Sequence, residues 1–159
     1  MDTLILARWL HVIGACVLLG TGAGIAFFML MAHRTRNPAL IAHVSVAVVI
    51  ADFLFTASAV IIQPITGIWL ARLTGWPLAT PWILASLALY GVTGMFWLPV
   101  VWLQWRMAAL ARAAVKDGTE LPPLYHRYFH IWFACGFPAF SAVLAIIWLM
   151  LARPAWIGF

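Results

Sequence analysis

Charge is what this sequence has least of. Only 8% of its 159 residues are Asp, Glu, Lys or Arg, while 66% are hydrophobic. A water-soluble domain carries roughly a quarter charged residues, so there is too little polar surface here to coat a globule. The small excess of base, a formal charge of +5, is scattered along the chain. Basic residues at the ends of apolar runs fit membrane orientation, and the lack of a basic face excludes a nucleic-acid partner. Cysteine is nearly absent. Cys16 and Cys135 both fall inside apolar segments, at opposite depths, which argues against a disulfide between them and leaves two small buried hydrophobes. A cleavable leader is not expected either. The tetrapeptide IGAC (13–16) faintly resembles a lipoprotein cleavage box, yet the apolar run continues past Cys16 to Met31, so the first segment reads as a retained transmembrane helix.

What the chain does have is long apolar stretches. The mean hydropathy is +1.05, and crossing the hydrocarbon takes about 20 apolar residues. The sequence has room for four such crossings, expected at about 4–32, 38–73, 81–114 and 124–152. Asn37-Pro38 and Thr80-Pro81 each offer an N-cap followed by proline at the first helical position. Pro64 and Pro99 lie inside the second and third segments and are expected to kink them, leaving backbone groups to be satisfied inside a bundle. The fold class is therefore all-α, a single integral membrane four-helix bundle. Arg34, Arg36, Arg106, Arg112, Lys116 and Arg127 flank the first and third loops, against Arg8, Arg72 and Arg153 on the other side. The positive-inside rule then gives N-out/C-out. Trp9, Trp69, Trp76, Trp82, Trp148 and Trp156 fall at the outer interface, where indoles settle.

Polar residues within the spans recur at helical spacing. Ser45, Asp52, Thr56 and Gln63 share one stripe of the second helix, and Ser86, Tyr90, Thr93, Trp97 and Gln104 one of the third. His126, His130, Phe137 and Ser141 do so on the fourth. These seams are expected to meet inside the bundle, because lipid offers them no partners. Asp52 is the one acid within the membrane interior, roughly 20 Å along its helix from Pro38, and is expected to act in proton movement with Gln63. His11 lies near the outer face, and His33, His126 and His130 near the cytoplasmic one. His43 is rotated away from the polar seam, toward the headgroups. His33 with His126 or His130 makes a cross-bundle imidazole pair of the kind that holds haem or a metal. No thiolate or carboxylate at matching depth completes a zinc site, which favours haem. GTGAG (20–24) follows no strand and is not a dinucleotide loop.

The opening LHVIG, the glycine-rich middle and the ending FFMLMAH of the first helix resemble the HemJ and CopD group of small bacterial membrane proteins. LFTASAVIIQPITGIWL in the second helix is similar to that group as well. Over its whole length the chain looks closer still to an uncharacterised bacterial family of predicted integral membrane proteins. The HemJ resemblance implies a haem b-binding four-helix protein of the bacterial inner membrane, an oxidoreductase linked to protoporphyrinogen oxidation or electron transfer. CopD-type proteins are linked to copper handling. His11 and His33 match the two ends of the HemJ-like first helix. The important lysine of the HemJ third helix has no counterpart here, the sole lysine being Lys116 in a loop. On this reading His33 and His130 (or His126) hold the iron and Arg106 and Arg127 pair with haem propionates. His11 serves a second site or a quinone or porphyrin pocket. Partners expected are the lipid bilayer, a quinone or porphyrin, and a redox partner or second copy. The competing class is a non-enzymatic scaffold or accessory subunit, with or without metal handling.

Overall fold

Asp2 starts the first helix: its carboxylate accepts from the Leu4 N–H at 3.1 Å, giving a partner to one donor that a helix start leaves orphaned. α1 then runs Thr3–Arg34. After a three-residue turn, the Asn37 side chain accepts from the N–H groups of Ala39 and Leu40 at 3.0 and 3.3 Å, and Pro38 occupies the first turn. The second rod, Pro38–Thr74, has three parts: α2 (Pro38–Ala51), a π-helical turn (Asp52–Thr56) and α3 (Ala57–Thr74). α4 spans Pro81–Asp117 and α5 spans Pro123–Ala152. α4 continues three residues past the expected 114 and stops where Gly118 turns left-handed at φ 65. This computed structural model describes residues 2–154, so Trp156 lies outside the described residues. All four rods are long and apolar enough to cross a membrane, and no strand occurs among the described residues. The chain is an all-helical integral membrane bundle.

Around the bundle, α1 packs on the second rod, α2 on α4, and α4 most extensively on α5, while α5 closes lightly back onto α1. α3 packs along α1 and makes no comparable approach to α4 or α5. The main core therefore sits toward the arginine-rich end, where Met29, Ile41, Met107 and Tyr125 are fully buried. Phe53, Leu54 and Phe55, on the outer side of the π-helical turn, are left facing lipid, Phe53 at 76% exposure.

The π-helical turn explains this asymmetry. Its wider i→i+5 winding is closed by the Ala57 N–H on the Asp52 carbonyl, and Asp52 and Thr56, four residues apart on one face, are both buried. It also slips the phase of everything beyond it. Gln63 was expected in the stripe of Asp52, but its side chain lies against Gly14 of α1, where a Cβ would come within 2.8 Å of Oε1. The Ser58 hydroxyl donates to the Leu54 and Phe55 carbonyls at 2.6 and 3.0 Å, satisfying acceptors in the irregular turn. Pro64 does not interrupt α3. Its missing N–H leaves the Val60 carbonyl without a helical partner, and the Tyr90 hydroxyl of α4 donates to that oxygen.

The polar seam expected for α5 is also phased differently. His126, His130, Phe137 and Ser141 are all exposed, and the buried face is Tyr125, Phe129, Trp132, Ala142 and Leu149. Flat aromatic rings fill the broad gap between α5, α4 and α1, whereas the histidines stay at the wet rim. At the opposite end Trp76 and Trp82 meet edge-to-face at 5.7 Å, with the Arg153 guanidinium 6.0 and 5.8 Å from their rings.

Candidate functional site

Three side-chain clusters stand out: one at the arginine-rich end, one around Asp52, and one joining α1 to α3. The first is an open cleft of about 520 Å³ at the arginine-rich end, lined by His33, Arg34, Arg36 and His126. His33 is set by the last turn of α1 and His126 by the first turn of α5, and their ring centroids are 5.6 Å apart at 72°. Phe129 lies flat on the His33 ring, 3.6 Å away with 3° between planes, and fixes its orientation. Stacking covers a face of the imidazole and leaves its ring edge, where the nitrogens bond, free of Phe129. His33 Nδ1 and the hydroxyl of Tyr125, whose ring is 5.8 Å from His33, are buried without hydrogen-bond partners. Such orphaned groups are uncommon in a finished interior. Arg36 has φ 54, a left-handed conformation that a non-glycine residue rarely adopts. It is held there by its N–H on the His33 carbonyl, at 3.3 Å.

Of the residues expected at this end, His33 and His126 are brought together. His130, one turn deeper on α5, is exposed and does not line the cleft, because Phe129 occupies the side that faces α1. Arg106 lies along Trp102, 6.0 Å from ring to guanidinium, with its Nε buried and unpartnered, and Arg127 is exposed; neither borders the cleft. Its guanidinium groups are instead those of Arg34 and Arg36. Sequence reasoning used these two only to orient the chain, although the run HRTRN already placed them beside His33.

The second cluster surrounds Asp52, which is 4% exposed. The Trp97 indole N–H of α4 donates to Oδ1 at 3.3 Å. Gln104, two turns along α4, donates through its amide nitrogen to Oδ2 at 3.1 Å, and its amide oxygen accepts from Trp132 Nε1 of α5 at 3.2 Å. This amide orientation is the one its neighbours require, because the reverse sets acceptor against acceptor and donor against donor. The Thr56 hydroxyl lies beside the carboxylate, buried and with no other hydrogen-bond partner. The partner of Asp52 is thus Gln104 rather than Gln63.

The third cluster joins α1 to α3 in the other half of the bundle. His11 Nδ1 is 3.0 Å from Thr66 Oγ1. The single hydroxyl proton of Thr66 is committed to the Ile62 and Gln63 carbonyls, at 3.0 and 3.1 Å. With that proton on a carbonyl, the Thr66 oxygen accepts from His11, an arrangement that assigns the imidazole proton to Nδ1 and a lone pair to Nε2. The close approach needs glycine: a Cβ on Gly67 would stand 3.2 Å from His11 Cε1. Asp52 and His11 are not brought together.

Residues 5–154 match a family described as predicted integral membrane protein (DUF2269). The chain belongs to that family. No curated protein and no solved structure matches it. Family membership agrees with the four spanning rods and assigns no chemistry to any of the three clusters. Among the described residues no group of three or more His, Cys, Asp or Glu is arranged to hold a metal ion.

Proposed function

We propose that this member of the family is a haem b-binding redox protein of the bacterial cytoplasmic membrane, with its cofactor in the cleft at the arginine-rich end. The observation that carries the reading is the meeting of His33 and His126 at 5.6 Å. Two imidazoles with no third protein ligand among the described residues suit a haem iron better than a bare zinc ion. The donor set fits the group in other respects. Arg34 and Arg36 offer guanidinium forks to propionates, and Tyr125 Oη and His33 Nδ1 await partners. Phe129 orients His33 and keeps water from one face of its ring. Bound haem supplies one-electron chemistry, its potential tuned by the apolar bundle behind it. Arg106 and Arg127 add positive charge at the same end, which the positive-inside rule assigns to the cytoplasm. The electron partner is a quinone or porphyrin, or a redox protein, as the HemJ resemblance implies.

The test is an absorption spectrum of protein purified from haem-replete cells. A Soret band and a b-type α band, each at one haem per chain, are expected. Colourless protein contradicts the reading, and bound copper in metal analysis would support the CopD-like alternative in its place.

A further inference from the structure

Asp52 takes no part in the histidine cleft, yet it is the most demanding residue in the molecule to bury. The groups that face it are Trp97 and Gln104 of α4 and Thr56 of its own rod, with Trp132 of α5 behind Gln104. None of these is charged. An ionised carboxylate without a counter-ion is costly inside a bilayer, so a permanently charged Asp52 would be an unexplained expense of stability.

The hydrogen-bond directions say more. An indole N–H only donates, so Trp97 is a fixed donor to Oδ1. Trp132 pins the Gln104 oxygen, and that fixes the Gln104 amide as a donor to Oδ2. Both partners therefore serve the ionised form, and neither accepts a proton from the neutral acid. Only one neighbour is able to do either. The Thr56 hydroxyl is buried, otherwise unpartnered, and free to rotate. Thr56 stands four residues beyond Asp52 on the same face of the rod, with both side chains on the buried side.

We propose that Asp52 and Thr56 form a reversible proton-binding site inside the membrane. The Thr56 hydroxyl donates to the ionised carboxylate and rotates to accept from the neutral acid, while Trp97 and Gln104 hold the carboxyl group in place. Uptake forms one O–H bond on the carboxylate with a proton taken from a hydronium ion or buffer acid, and release returns that proton to water. No electron moves.

Infrared difference spectroscopy across a pH series reads this directly. The full chain carries four side-chain acids, of which Asp2, Asp117 and Glu120 are exposed. Replacing these three as D2N, D117N and E120Q leaves Asp52 as the only side-chain source of a carboxyl band, with no change to the buried cluster. A neutral-acid C=O band that disappears on raising pH and returns on lowering it is expected, with or without haem. Labelling of aspartate with carbon-13 at the carboxyl should shift that band. Thr56→Ser should titrate like the parent, and Thr56→Val should move the midpoint about tenfold in proton concentration, the usual scale for losing a bond to a charged group. Absence of the band at every pH, a band that never disappears, or a Thr56→Val midpoint equal to the parent would each overturn the proposal.

Discussion

Replacing Gln104 with Leu keeps the volume of the side chain and removes both ends of the bridge between α2, α4 and α5. The amide donates to Asp52 Oδ2 at 3.1 Å and accepts from Trp132 Nε1 at 3.2 Å, so the substitution orphans one buried acceptor and one buried donor. In a water-soluble protein each orphan costs about 1–3 kcal/mol. Within a membrane bundle polar contacts average about 0.6 kcal/mol and reach about 1.7, because the unfolded chain in lipid also finds partners. The membrane values apply here, since both groups lie inside the spans. Two lost contacts then amount to about 1–3 kcal/mol, the upper part reflecting the charged acceptor. Unfolding by a denaturing detergent, followed through tryptophan fluorescence, measures this, since Trp97 and Trp132 report on the cluster itself. In an Asp52→Asn background the same substitution should cost about 1 kcal/mol less, the coupling expected of groups in direct contact. Gln104→Leu within about 0.3 kcal/mol of the parent, or costs that simply add with Asp52→Asn, would refute the bridge.

Three further outcomes are expected. Nitrogen-15 NMR of histidine-labelled protein should find the His11 proton on Nδ1, and Thr66→Val should abolish that preference; an Nε2 proton in the parent contradicts the pairing with Thr66. Gly67→Ala brings a Cβ to 3.2 Å from a His11 ring that Thr66 holds in place. Its overpacking cost of about 1–3 kcal/mol should outweigh a helix-propensity gain of about 1 kcal/mol. Gly91→Ala has nothing within 4 Å of the new atom and should be neutral or stabilising in the same unfolding assay; equal effects of the two contradict the close packing of α1 on α3. Arg36→Gly relieves a left-handed backbone at φ 54, so stability should stay within about 1 kcal/mol of the parent while haem retention falls. Loss of folding in place of loss of haem would show that Arg36 serves the turn and not the cleft.

The four spans were legible because apolar length is a property of composition, and the starts at Pro38 and Pro81 because proline suits the first helical turn; Asn37 caps its helix as expected, whereas the Thr80 hydroxyl donates to the Pro77 carbonyl instead. Inward facing was less legible. Spacings of seven and eleven assume unbroken α-helix, and a single π-helical turn at Asp52–Thr56 carries Gln63 from the bundle centre to Gly14 on α1. No local sequence rule marks such a turn. Asp52 stood out as a lone acid, whereas its partner Gln104 depended on how α4 is placed against α2. His33 was readable by depth as one half of a pair whose other half was His130 or His126. The choice between His126 and His130 turned on Phe129, whose ring covers His33 and leaves His130 at the rim. The use of Tyr90 to satisfy the carbonyl freed by Pro64 was foreseeable as a need, though not as a residue.

Haem content in single histidine variants tests the central claim most directly. The comparison is haem per chain in purified His33→Ala, His126→Ala, His130→Ala and His43→Ala, each checked for intact folding by its far-ultraviolet circular dichroism. The account predicts loss of haem in the first two and retention in the last two, since His130 and His43 are exposed and neither lines the cleft. Full haem in both His33→Ala and His126→Ala, or loss confined to His130→Ala, would contradict it.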